Sequence, residues 1–347
     1  MRDSALSRLS MYYLAGRVYR ARPRTILFSP TLQCNLRCLH CGIWSQKAEV
    51  PTRIDPARWS DLLAHPLFRS VAQLWIGGGE PTLMENTEEY FRAGWERLPE
   101  LKALGFITNG FLANRAVDLA NRLLEAMPSG VAPLYLHLSI DGPPEIHDRI
   151  RGVPGAFRQM EKVVDAISRR PKDGRWEILF NCVLQPANVE AAQWVLEWGR
   201  NRGGHTVFNL LSRTEGFYCN SDPAADLEWT PRKREEAARF IERLAAEVQY
   251  PIRGHYQNVI RLLRGGKRSY RCVAMEGTFH LDGDGRTWAC PVGSHWTVGN
   301  VLDEDPEVLW RGRKFLDFKG KISEELCPEC GLSCSIGDGM DWHELVI

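Results

Sequence analysis

The chain has 347 residues, enough for one large α/β domain, a smaller appendage and a full hydrophobic core. Lysine and arginine total 44 against 43 acidic residues, and a net charge of +1 argues against a general nucleic-acid binder. Hydrophobic residues at 44% and charged residues at 25% exclude a mostly disordered chain, and no apolar run approaches the roughly 18 residues that a membrane span needs.

Residues 1–24 carry six arginines and one acid, Asp3, around Met11, Tyr12, Tyr13 and Leu14. A basic helical segment packed on the main domain is expected there, with peripheral membrane contact as the sharper alternative. From residue 25 onward β-like and helical runs alternate. Strands are predicted over 25–33, 71–76, 104–108, 134–140, 177–183 and 205–210, and helices over 87–97, 113–126, 156–169, 189–201 and 232–248. Such spacing implies right-handed βαβ crossovers and a parallel sheet. Six units fit a partial (β/α)6 barrel, with an open doubly wound sheet as the competing α/β architecture. Along the fourth run Leu134, Leu136, Leu138 and Ile140 alternate with Tyr135, His137, Ser139 and Asp141. The aliphatic set is assigned to the helix-covered face and the polar set to the interior, where a barrel keeps its site.

After about residue 250 the pattern changes. Runs at 278–281 and 286–289 flank Asp282-Gly283-Asp284-Gly285, a hairpin signal. A calcium loop would need further ligands that are missing. Residues 306–320 read as a helix opened by Pro306. The expected organisation is therefore a basic segment (1–24), a barrel (25–250) and a small hairpin-and-helix extension (251–347).

Ten cysteines stand out. No signal peptide opens the sequence, so they read as metal ligands or reactive thiols rather than a disulfide framework. Cys34, Cys38 and Cys41 crowd together, Cys272, Cys290, Cys327, Cys330 and Cys334 lie in the last quarter, and only Cys182 and Cys219 fall between. Two separated groups point to two metal centres. Cys34-x3-Cys38-x2-Cys41 directly follows the first strand. A structural zinc site needs four closed ligands, and a ferredoxin run would add a fourth cysteine followed by proline, where Gly42-Ile43-Trp44 stands. Three cysteines on a 4Fe–4S cluster leave one iron open.

In this spacing the sequence resembles the radical S-adenosylmethionine (radical SAM) enzymes. Trp75-Ile76-Gly77-Gly78-Gly79-Glu80-Pro81 matches the family's turn after the second strand, and Ile107-Thr108-Asn109-Gly110, Ser139-Ile140-Asp141-Gly142 and His147–Gly152 follow in the family's order. The resemblance implies Cys34, Cys38 and Cys41 on the cluster and His40 beside the adenine. It implies Gly78, Gly79 and Glu80 at the methionine amine, Ser139 and Asp141 at the ribose and carboxylate contacts, and Arg151 on the methionine carboxylate. Asn181 is a weaker cofactor contact.

Cys272, Cys290, Cys327 and Cys330 resemble the C-terminal extension called SPASM, or its shorter relative twitch, which holds auxiliary iron–sulfur clusters. A full SPASM array has seven cysteines, so five favour twitch, with one auxiliary 4Fe–4S cluster on these four. A zinc ribbon is the alternative for the same thiols. Cys182, Cys219 and Cys334 remain as hydrogen-donor candidates, although Cys182 reads as an inert core thiol facing opposite to Asn181.

The chemistry so implied is SAM cleavage to a 5′-deoxyadenosyl radical and hydrogen removal from a small metabolite, such as a sugar, aminocyclitol or lipid precursor. Several peptide-modifying relatives carry a leader-binding domain of about eighty residues, in the size range of a small domain. About two dozen residues precede the first strand here, which lowers the peptide-maturase alternative. A cluster-bearing electron carrier is the third class. A reductant such as flavodoxin or ferredoxin and a reducing cytoplasm are expected.

Overall fold

The structure, a computed structural model, describes residues 21–46, 52–131, 133–221, 227–249, 252–270, 272 and 274–336. The expected basic segment lies outside them except for its last four residues.

Six parallel strands, β1 (Thr25–Thr31), β2 (Gln73–Gly78), β3 (Ala103–Thr108), β4 (Leu134–Ser139), β5 (Trp176–Leu184) and β6 (His205–Leu210), each pair with the next in chain order. This is the partial barrel, and the crossovers are helical, as at Thr87–Arg97, Ala113–Ala126, Ala156–Ser168 and Ala192–Asn201. The doubly wound alternative would reverse strand order at a switch point, and no such reversal occurs among the described residues.

The sheet does not end at β1. Strand β7 (Thr278–Asp282) pairs parallel to β1, from Thr25 with Thr278 to Ser29 with Asp282, and β8 (Arg286–Trp288) and β9 (Gly299–Asn300) continue antiparallel. One nine-stranded sheet thus carries both cysteine regions, in the order β6-β5-β4-β3-β2-β1-β7-β8-β9. The 282–285 turn closes on itself: Asp282 Oδ1 accepts from the Asp284 and Arg286 N–H groups at 3.0 Å, and Gly285 takes φ +86°. That leaves a hairpin turn, with Asp282 occupied by its own backbone and by Arg286.

Strand parity sorts the side chains. Ile26, Phe28, Leu74, Ile76, Leu104, Phe106, Leu134, Leu136, Leu138, Phe180 and Phe208 are fully buried against the helices in one continuous core. The opposite face fills the barrel interior. At its closed end the Trp75 and Tyr135 rings stack 5.7 Å apart, packed with Ala103 and Leu179. Gly105 makes this fit, since a Cβ there would lie 1.9 Å from the Trp75 ring. Above this plug, toward the C-terminal strand ends, the interior stays open.

One expected helix proves to be two. Residues 306–320 contain Pro306–Arg311 and a second helix, Arg313–Glu325, separated by Gly312 in an extended conformation at ψ 159°. The break lets Trp310 and Phe315 both pack inward, with ring centroids 5.6 Å apart.

Candidate functional site

The open end of the barrel is a cavity of about 260 Å³. Its floor is the inward set from successive strands: Leu27 and Ser29, Ile107, His137 and Ser139, Asn181, Asn209. The loop after β1 roofs it with Cys34, Cys38, His40 and Cys41, and the segment after β6 closes one side with Phe217, Tyr218 and Asn220.

The cysteine loop hangs on the helix Pro144–Arg151. Arg37 N–H donates to Arg151 O at 3.0 Å and Leu39 N–H to Ile150 O at 2.8 Å. The helix ends there because Gly152 takes φ +70°, and a Cβ at that position would lie 2.3 Å from Arg37 O. Burial raises the three thiols, Cys34 to about 11 and Cys41 to about 12, and neighbouring thiols add to both. Opposing this, Asn109 Nδ2 donates to Cys34 Sγ at 3.8 Å and Arg151 Nη1 to Cys38 Sγ at 3.7 Å. The loop therefore offers three clustered sulfurs with N–H donors placed for their anionic forms.

Arg151 is the only charged side chain lining the cavity among the described residues. Its Nε donates to Asp141 Oδ2 at 2.6 Å, while Nη2 is buried with no partner. Burial works against the Asp141 carboxylate, but Arg151 and the nearby His40 and His147 hold it below its ordinary value. Asp141 is fully buried and does not line the cavity. Its carboxylate therefore reaches the cavity only through Arg151, the lining residue whose guanidinium it holds.

Glu80 is placed similarly. Gly78 and Gly79 line the cavity, whereas the Glu80 carboxylate turns into the strand ends. It accepts from Thr82 Oγ1 at 2.6 Å, Thr108 Oγ1 at 2.7 Å and Asn109 N–H at 2.8 Å. Four donors in all converge on it, counting Thr82 N–H at 3.1 Å, so this carboxylate ties β2 to β3 beneath Asn109. Gly79 permits the close approach, because a Cβ there would lie 2.0 Å from Gln33 O.

His40 lines the cavity as a neutral ring. Burial first, then Arg151, lowers it to about 4, and its Nδ1 accepts from Gln185 Nε2 at 3.1 Å. Ser139 and Asn181 also line the cavity, with Asn181 Oδ1 accepting from Asn209 Nδ2 at 2.6 Å. Cys182 faces the helix side, fully buried, its Sγ accepting from Asn188 Nδ2 at 3.6 Å. Cys219 is exposed outside the cavity, donating to Gly216 O at 3.1 Å. Neither reaches the open space, so the hydrogen-donor role is withdrawn for both on placement. Cys334 is exposed on the turn Ser333–Ile336, within electrostatic reach of Tyr218.

The second set is of another kind. Cys272, Cys290, Cys327 and Cys330 are all buried. Burial raises Cys272 to about 11, opposed by Arg268, while Cys330 and Cys327 add to the rise; Cys290 is raised by burial and the same neighbours. Burial disfavours the Arg268 charge, but Cys327, Cys272 and Cys330 hold it protonated beside them. Arg268 N–H also donates to Pro328 O at 2.8 Å, and Asn258 Nδ2 to Cys330 O at 3.2 Å. Among the described residues no three metal-binding side chains converge on one ion position. A cluster differs from a single ion in that each sulfur holds a different iron, so its ligands need not meet at one point.

Sequence reasoning assigned no role to Asn109, Gln185, Asn209, Asn220 or Arg268. Asn109 sits in a quoted motif without a role of its own, while the other four contact the site only through folding and no spacing signal marks them.

Comparison with known proteins agrees with this geometry. A family described as the radical SAM superfamily matches residues 28–197, and SPASM, an iron–sulfur cluster-binding domain, matches residues 272–335. The "AdoMet-dependent heme synthase" of Methanosarcina barkeri is 25% identical over 326 residues, covering 89% of this chain and 88% of that protein. "Mycofactocin maturase MftC" of Mycobacterium tuberculosis is 24% identical over 321 residues, covering 89% and 76%. A match of 29% identity to "Fe-coproporphyrin III synthase" of M. barkeri spans 38% of this chain and only 31% of that protein. Among solved structures, "Native anSMEcpe with bound AdoMet" shares the fold at a TM-score of 0.60 and 20% identity, over 85% of this chain and 82% of that one.

Proposed function

From a chain that belongs to the radical SAM superfamily, with a SAM-binding 4Fe–4S cluster and an auxiliary cluster as cofactors, we propose an enzyme that cleaves SAM reductively and removes hydrogen from an uncharged substrate group at the barrel mouth. The observation that carries this reading is the cavity itself: three part-exposed thiols and a single charged side chain, Arg151, line one open space.

Cys34, Cys38 and Cys41 would hold the first cluster, and Cys272, Cys290, Cys327 and Cys330 the auxiliary one. With SAM bound, the first cluster supplies the 5′-deoxyadenosyl radical. The protein's own part is to bind, orient and exclude water. In this reading Arg151 meets the methionine carboxylate, the Gly78–Gly79 backbone the amine, His40 the adenine, and Ser139 with Asn181 the ribose. A one-electron donor such as flavodoxin or ferredoxin would supply the reductant.

The lining limits the substrate. Beyond Arg151 the cavity presents only neutral side chains, among them His137, Asn209, Ser212, Tyr218 and Leu332. A polyanion would leave its charges unpaired there. A small neutral metabolite meets this condition. The likeness to a maturase supports a second reading, in which an uncharged residue of a peptide is modified.

An anaerobic assay of reconstituted protein with dithionite and SAM tests the proposal. We expect 5′-deoxyadenosine from the parent and none from Cys34→Ala. Equal product from both would overturn it. Deuterium transfer into 5′-deoxyadenosine from labelled metabolites or peptides then separates the two substrate readings.

A further inference from the structure

Between the two cysteine sites runs a loop, residues 214–220, that is hydrogen-bonded to both. On one side the Phe217 N–H donates to Pro291 O at 3.1 Å and Thr214 Oγ1 donates to Val292 O. These acceptors are the two residues directly after Cys290. On the other side Asn220 Nδ2 donates to His40 O at 2.8 Å, the Gly42 N–H donates to Tyr218 O, and Gln46 Nε2 donates to Phe217 O at 2.9 Å. His40 and Gly42 flank Cys41.

The loop is closed across its own ends. The Thr214 N–H donates to Asn220 Oδ1 at 2.8 Å, the Asn220 N–H to Thr214 O at 3.0 Å, and the Gly216 N–H to Thr214 Oγ1 at 2.8 Å. Both end residues are buried, at 4% and 6% exposure. Thr214 therefore faces the second site and Asn220 the first, back to back. The contact with the first loop is tight: a Cβ on Gly42 would lie 2.4 Å from Cys219 O. Cys219 itself sits in the left-handed region at φ 45°, which a non-glycine residue keeps only where its surroundings enforce it.

We propose that loop 214–220 couples the two sites, so that the turn after Cys290 sets the position of His40–Gly42 and with it the affinity for SAM. Asn220 is the positioning residue for the first loop, and Thr214 is its counterpart at the second. The inference rests on the SAM-binding reading above. Coupling of this kind is reciprocal, so SAM binding also steadies the turn after Cys290.

Thr214 is outside the cavity, which makes it the diagnostic position. Thr214→Val removes the hydroxyl at nearly constant shape, and Thr214→Ser restores it. In protein carrying both clusters, with iron and sulfide assayed, the SAM dissociation constant measured by calorimetry should rise about tenfold in Thr214→Val and Asn220→Ala. It should return to within about twofold of the parent in Thr214→Ser. Before reconstitution, amide hydrogen exchange of residues 38–44 should quicken in Thr214→Val and stay at the parent rate in Thr214→Ser. An unchanged SAM affinity in Thr214→Val, whether its iron content is full or halved, would overturn the coupling. Unchanged exchange at residues 38–44 would overturn it as well. A parent that binds no SAM would instead sink the functional reading, while the exchange measurement still tests the loop.

Discussion

The two cysteine sites share one sheet but are built oppositely. The first takes three thiols from eight consecutive residues, Cys34 to Cys41, on a loop that opens into a cavity. The second gathers four buried thiols from residues as far apart as Cys272 and Cys330. A site that must admit a small molecule needs part-exposed sulfurs beside an open space, and Cys34, Cys38 and Cys41 line such a space. A site closed by protein on every side can instead be packed like core, and Cys272, Cys290, Cys327 and Cys330 belong to the main hydrophobic cluster.

If that contrast is right, the largest effect comes from removing a first-loop ligand. Cys34→Ala should lower SAM cleavage by more than the roughly 100-fold that losing an outer partner of a metal costs. Product analysis by chromatography measures it. Cys290→Ala should halve the iron, from about eight to about four per chain, while leaving the first cluster in place. Loss of all iron, or appearance of one zinc in the parent, would break the distinction between the sites.

Arg151→Met leaves the Asp141 carboxylate buried without its partner, so urea unfolding should show a loss of about 3–5 kcal/mol. Its pH dependence has a definite sign. Asp141 lies below its ordinary value in the parent, so its contribution is present at neutral pH and is lost as acid passes through the folded value. In Arg151→Met this acid-induced loss should disappear, because burial without the guanidinium pushes the Asp141 carboxyl up and acid then relieves the buried charge.

Four histidines give a second pH signature, two of them beside Asp141. Burial first holds His40, His137, His147 and His255 at about 4, below the ordinary 6.5. The unfolded chain therefore binds more protons between 6.5 and 4. Stability should be full above 6.5 and fall on acidification by up to about 1.4 kcal/mol per pH unit per histidine. Denaturant titrations of His137→Asn and His255→Asn should each flatten the slope.

The smallest expected effects are at two glycines, one per region. Gly152→Ala and Gly285→Ala each force alanine to φ +70° and +86°. Each should cost more than about 1 kcal/mol in thermal unfolding. Only Gly152→Ala should also weaken SAM binding, because its methyl meets Arg37 O of the cysteine loop.

Much of this molecule was legible from short-range pattern. The alternation through Leu134–Ile140 placed His137 and Ser139 inside, and the same parity put Asn181 in the cavity and Cys182 in the core. Period-two order is local, so the sequence carries it directly. The helix break at Gly312 escaped notice because it answers to the joint packing of Trp310 and Phe315, which no local rule records. The motifs mark the positions of Glu80 and Asp141, but only the folded chain shows that both carboxylates are buried beside the cavity rather than lining it.

The sequence by itself determined the strand and helix alternation, the three-cysteine loop and the two groups of thiols, because each is written in residues close along the chain. Tertiary structure alone decided the rest. It joined β7 to β1, so that hairpin and barrel form one sheet. It brought Arg268 and Asn258 to the second thiols and threaded residues 214–220 between the sites. These contacts depend on how distant segments pack, and their partners have no fixed spacing to read.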